Sequence, residues 1–112
     1  MTINSKYVAL KNYIPLGLPK EIDFEIKSRV LELNDENNIH VKNSWISVDP
    51  YMRARMTERK NYKPPFNLGE EMEGYAIGTV EQSNSNSFNI GDVVFSNYGM
   101  RDNFICNEKD LK

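Results

Sequence analysis

The run Ser47-Val48-Asp49-Pro50-Tyr51-Met52-Arg53 concentrates the chemistry of this sequence, setting a hydroxyl, a carboxylate, a rigid proline, a phenol, a thioether and a guanidinium side by side. Asp is a good helix N-cap, and proline fits the first helical position because no amide hydrogen bond is lost there. The run therefore predicts a short helix over residues 51–59. Its free amides would suit a phosphate or a developing oxyanion. The same residues could equally do no more than cap and pack that helix.

Other reactive side chains carry less. His40 stands between Ile39 and Val41 in an alternating run, which puts it on a solvent face as a structural residue rather than a general base. Cys106 has no basic neighbour to depress its pKa and reads as a small buried filler. One Cys and one His make a protein zinc site improbable. Glu70, Glu71 and Glu73 lack a clear fourth ligand for a hard cation and read as a solvated face. No metal is expected. Trp45, inside a strand, reads as core. Gly74 and Gly78 lack the G-x-G-x-x-G spacing and sit within a strand, so the chain carries no dinucleotide fold of its own.

The elements that must hold these groups are mostly strands, because apolar residues recur at every second position. A first run, 6–12, ends at the loop Ile14-Pro15-Leu16-Gly17-Leu18-Pro19. Phe24, Ile26, Ser28 and Val30 share one face of the next run, and a polar turn at 34–38 separates it from a third, 39–48, expected as its neighbour in a sheet. Prolines 64 and 65 force a surface loop after the helix. From Met72, Gly74, Ala76, Gly78 and Val80 alternate with Glu73, Tyr75, Ile77 and Thr79, a strand with one face so small that something must approach it closely. A polar turn at 82–87 and a bend at Ile90-Gly91-Asp92 lead into Val93-Val94-Phe95, a hairpin return. A last run, 103–107, is followed by 108–112 with no closing element in view.

With 112 residues the chain is one domain, 1–112, with one core as the default. Fourteen basic against 16 acidic residues leave a net charge of −2, which argues against nucleic acid or an anionic membrane as partner. No apolar run approaches the roughly 20 residues of a membrane-spanning helix, and the start lacks the apolar core of a secretory signal, so a cytoplasmic location is the default.

The Ser47–Arg53 run resembles the S-x-D-P-Y-M-R signature of the zinc-independent branch of the medium-chain dehydrogenase/reductases, the branch of prostaglandin reductases and 2-alkenal (double-bond) reductases. Pro64-Pro65-Phe66-Asn67-Leu68-Gly69-Glu70, the strand from Met72 to Glu81, and Phe88-Asn89-Ile90-Gly91-Asp92-Val93-Val94 are similar to that family's following segments, in the same order. The resemblance covers about the whole chain. It implies a mainly β, GroES-like partial β-barrel with one or two short helices, the N-terminal substrate or catalytic domain of a longer enzyme. The Rossmann domain that binds most of the cofactor is absent, which makes the chain an excised piece or a truncated gene product. Zinc-using relatives place a Cys near Val48-Asp49-Pro50 and a His near Glu70; neither occurs here.

The activity so implied is NADPH-dependent reduction of the C=C bond of an α,β-unsaturated aldehyde or ketone without zinc, in a parent expected to be a homodimer, the fragment alone being inactive. Carried over by position, Pro50 and Tyr51 line the nicotinamide end of the cofactor, and Tyr51 and Tyr75 can donate to the developing oxyanion. A further tyrosine of the absent region also approaches the substrate. Met52, Arg53, Met56, Phe66 and Met100 are the expected pocket residues; Met100 departs from the aromatic that many members carry after the loop glycine. A stand-alone β-barrel binding module and a quinone reductase domain are the alternative readings.

Overall fold

The computed structural model describes residues 2–58 and 63–112. Strand β1 (Ile3–Leu10) pairs antiparallel with β2 (Phe24–Leu31), from Ile3 opposite Leu31 to Leu10 opposite Phe24. Strands β3 (Ile39–Ile46), β4 (Ala76–Ser83), β5 (Val93–Ser96) and β6 (Asn103–Cys106) form a second antiparallel sheet in the order β5-β4-β3-β6. One helical turn, α1 (Tyr51–Ala54), and two 3-10 turns, Glu21–Asp23 and Glu108–Asp110, are the helical elements among the described residues. The mainly β expectation holds. Bridges Tyr7–Arg101 and Ala9–Glu71 tie β1 to segments flanking the larger sheet. No helix among the described residues is long and apolar enough to cross a membrane.

Alternation explains which side chains are inside. Ile39, Val41, Val80, Val94, Phe104 and Cys106 point from one face of the larger sheet into a first core cluster, with Leu111. A second cluster, Leu10, Ile14, Met52, Met56, Phe66 and Met72, lies beneath α1. The buried residues thus form two clusters rather than the single core expected. In β4 the small face is filled from β3: a Cβ on Gly78 would meet the Lys42 carbonyl oxygen and Val41 Cγ1, each at 2.7 Å.

Three expectations are corrected. β2 and β3 are not neighbours, because both edges of β3 are taken by β4 and β6; Ile26 on β2 is left 78% exposed. Trp45 is not core but 75% exposed. Ser44 is an extra residue in β3, where the register passes from Asn43–Gly78 to Trp45–Ile77, and this bulge moves Trp45 to the outer face with Ile77. Finally, residues 108–112 do close the chain: Leu111 is buried, and Lys112 exchanges two backbone hydrogen bonds with Phe95, at 2.8 and 3.1 Å.

Candidate functional site

The helix after Asp49 is shorter than its sequence suggests. Pro50 already has helical dihedrals, φ −57° and ψ −32°, yet α1 ends at Ala54, and the expected end at Arg59 lies outside the described residues. Carbonyls that would continue the helix are captured elsewhere: Arg55 O accepts from Phe66 N at 2.8 Å and Met56 O from Ile14 N at 2.8 Å. Asp49 does not cap with its side chain, which accepts from Ser47 Oγ at 2.7 Å. The amides of Met52 and Arg53 are taken by the carbonyls of Asp49 and Pro50. With these two amides already bonded, a single turn makes a poor anion site.

What the turn does present is a phenol. The Tyr51 ring meets Tyr75 edge to face, with centroids 6.3 Å apart and planes at 66°. Tyr75 in turn stacks on Phe95 at 5.4 Å. Both strands of that stack follow the pleat: Ile77 pairs with Phe95, and Tyr75 lies two residues before Ile77 on the same outer face. Tyr51 is half-buried and Tyr75 is 45% exposed, so the pair lies at the surface. Lys63 Nζ stands 5.9 Å above the Tyr51 ring. Burial first, then the charge of Asp49 and the neighbouring Tyr75, push the Tyr51 phenol above its ordinary pKa. It therefore stays a hydrogen-bond donor through neutral pH.

The other sequence candidates divide. Pro50 is exposed beside Tyr51. Arg53 is turned to the 14–19 loop, donating through Nε and Nη2 to the Gly17 carbonyl at 3.2 and 3.0 Å. Met52, Met56 and Phe66, expected as pocket walls, are all buried in the second cluster. Their packing supports the turn from below, and Gly74 leaves room for the tip of Met52, whose methyl would clash with any Cβ there. Met100 packs at the edge of the same cluster with φ 55°.

His40 and Cys106 take structural places. His40 Nε2 lies 2.8 Å from Asn103 Oδ1. Cys106 is buried in the first cluster, where burial pushes its thiol to about 12. Glu71 pairs with Arg29 at 3.2 Å and Glu73 with Arg55 at 3.6 Å. No group of three or more His, Cys, Asp or Glu among the described residues could hold a metal ion. Sequence reasoning missed Phe95 and Lys63. The parity of β5 carried a signal for Phe95, since Val94 faces in; nothing local marked Lys63, which a proline-rich loop brings over Tyr51.

Residues 6–112 match the family model described as the N-terminal domain of oxidoreductase. The chain belongs to this family. The oxidoreductase domain is 39% identical over 101 residues to a 2-alkenal reductase (NADP(+)-dependent) of Nicotiana tabacum, covering 87% of this chain and 29% of that protein. It is 31% identical over 97 residues to the NADPH-dependent curcumin reductase of Escherichia coli (strain K12), covering 87% and 28%. Among solved structures, CurA from Vibrio vulnificus superposes with a TM-score of 0.83 at 28% identity, over 90% of this domain and 30% of that chain. The domain spans less than a third of the length of these relatives.

Proposed function

We propose that the protein carrying this oxidoreductase domain is an NADPH-dependent reductase of the C=C bond of α,β-unsaturated aldehydes or ketones, working without zinc. The observation that carries the reading is the surface pair Tyr51 and Tyr75, rings 6.3 Å apart, at the first turn of the Asp49-Pro50-Tyr51 run. The names of the 2-alkenal and curcumin reductases support the cofactor and the substrate class.

The residues present fit one end of such a cofactor. Pro50 is exposed and uncharged beside the Tyr51 ring, a surface suited to a flat nicotinamide, and these two would hold it. Phosphate groups find no glycine-rich turn here, and the nearby Arg53 is already bonded to Gly17. The bound cofactor supplies a hydride. The domain's own part is the environment of the substrate carbonyl oxygen, where negative charge develops in conjugate reduction. A protonated phenol donating to that oxygen stabilises it; losing one such donor costs about 2.7 to 4 kcal/mol, on the order of 100-fold or more in rate. Tyr51 meets this requirement, since its phenol is held protonated. Tyr75 props the Tyr51 ring from one side, and Phe95 stacks on Tyr75 beside Ile77, so the phenol is seated on an apolar surface patch. For zinc the donor chemistry is poor: the Cys106 thiol is buried and held protonated, and His40 is bonded to Asn103.

The test is NADPH oxidation by the native protein with a 2-alkenal, a saturated aldehyde and a quinone, before and after chelation. Oxidation with the 2-alkenal that survives chelation, and that Tyr51→Phe slows roughly 100-fold, is the expected result. No turnover of the 2-alkenal, or activity lost to the chelator and restored by zinc, overturns the proposal.

A further inference from the structure

We infer that Asn43 is a positioning residue for the Tyr51–Tyr75 pair: its side-chain amide clamps the 98–101 loop, and that loop holds the backbone immediately before Tyr75. The inference rests on the functional reading above. Asn43 stands at the start of the β3 bulge. Its Nδ2 donates to the carbonyl of Tyr98 at 2.8 Å and to that of Arg101 at 2.9 Å, while its backbone N–H donates to the Asp102 carbonyl at 2.7 Å. One side chain therefore bridges both ends of a loop containing Met100, whose φ of 55° is a left-handed conformation that a methionine keeps only where its surroundings impose it.

Chemistry fixes the amide's orientation. Reversing oxygen and nitrogen would set Oδ1 against two carbonyl oxygens and lose both bonds. As placed, Oδ1 is buried without a hydrogen-bond partner and lies against Gly78, where an added Cβ would come within 3.0 Å of it. A buried acceptor left unsatisfied is unfavourable. The two bonds to the loop are what that arrangement secures.

The loop then reaches the phenols. Gly99 N–H donates to the Gly74 carbonyl at 2.8 Å, Gly74 N–H donates to the Asn97 carbonyl at 3.4 Å, and Gly74 bridges in parallel with Tyr98. Gly74, the residue before Tyr75, is thus held through both of its polar groups. The Tyr75 carbonyl accepts from Ser47 N at 2.8 Å, and Ser47 Oγ holds Asp49 at the entrance to α1. Asn43, the loop, Gly74, Tyr75 and the Tyr51 turn form one connected hydrogen-bonded path.

The experiment uses the native protein labelled with 3-fluorotyrosine, the Tyr51 and Tyr75 resonances assigned from the Tyr→Phe variants, and steady-state kinetics on a 2-alkenal. Asn43→Asp keeps the shape and removes both donors at neutral pH. It is expected to move the Tyr75 resonance and to lower kcat on the order of 10- to 100-fold, with KM within about threefold of the original because ground-state binding is spared. Protonating the introduced carboxyl at lower pH restores a donor and recovers part of kcat. Ile3→Ala, a buried change at the start of β1 away from this path, lowers the melting temperature and leaves both readouts in place. If Asn43→Asp does not fold, the neutral Asn43→Ser, whose shorter side chain reaches neither carbonyl, is expected to show the same shift. A lower melting temperature with an unmoved Tyr75 resonance, or with unchanged kcat, overturns the inference. If the original protein reduces no 2-alkenal, the functional reading fails, and the resonance alone still decides the clamp: moved supports it, unmoved overturns it.

Discussion

Gly99 lies against Gly74 so closely that a methyl group at position 99 would stand 2.7 Å from the Gly74 carbonyl oxygen and 3.0 Å from its carbonyl carbon. The obstacle is backbone, which cannot rotate aside as a side chain would. Gly99→Ala must push the 97–100 loop away from the segment leading into β4, with an overpacking cost of about 1–3 kcal/mol. A urea titration should show a lower midpoint with an unchanged slope, since the surface exposed on unfolding stays the same.

Arg55 is charged and buried, and its place is set by shape as well as charge. Nε donates to the Pro64 carbonyl at 2.9 Å, the guanidinium lies 4.2 Å over the Phe66 ring, and Nη1 reaches Glu73 at 3.6 Å. Arg55→Met removes a charged hydrogen bond and leaves the Pro64 carbonyl without its donor, a loss of about 1.5–3 kcal/mol. Arg55→Lys keeps the charge yet lacks both the planar face and the Nε–H, so it should restore little of the melting temperature.

Alkaline pH should weaken the first core cluster. Burial pushes the Cys106 thiol from 9.0 to about 12, and burial followed by the hydrogen bond to Asp110 pushes the Tyr98 phenol from 10.0 to about 12. Both pKa values are raised on folding, so the folded protein binds more protons than the unfolded chain above pH 9.0. Stability is therefore complete below that pH and falls as pH rises toward 12. Urea midpoints at pH 8, 10 and 11 should decline in that order, and Tyr98→Phe should flatten the decline.

What the sequence made legible was period and punctuation. Alternation through Gly74–Val80 marked the inward face of β4, and Ile90-Gly91-Asp92 marked the hairpin turn, where Gly91 adopts φ 95°. The limits were tertiary. Ser44 shifts the parity of β3 without any breaker residue to announce it, and so Trp45 turned outward unannounced. The length of α1 depends on Ile14 and Phe66, remote residues whose amides take the Met56 and Arg55 carbonyls just beyond its end. Pairing of β2 with β3 followed from nearness along the chain, which says nothing of edges already occupied. Tyr51 and Tyr75 were legible as candidate phenols, but the strands that bring their rings together are set by contacts 24 residues and more apart, such as Gly74 with Tyr98.

Because those two rings touch, their substitutions should not act independently. Tyr51→Phe removes the hydroxyl proposed to donate to the substrate and keeps the ring against Tyr75; Tyr75→Ala keeps that hydroxyl and removes the ring it leans on. If Tyr75 works by holding Tyr51 in place, then once the Tyr51 hydroxyl is gone the Tyr75 ring has less left to position. The double variant should be slower than Tyr51→Phe by less than the single Tyr75→Ala effect, a coupling of about 0.5–3 kcal/mol in kcat/KM for residues in contact. Two independent donors would instead give effects that add. The cycle is measured as kcat/KM on a 2-alkenal for the native protein and its three variants, and simple additivity would remove Tyr75 from the role of support.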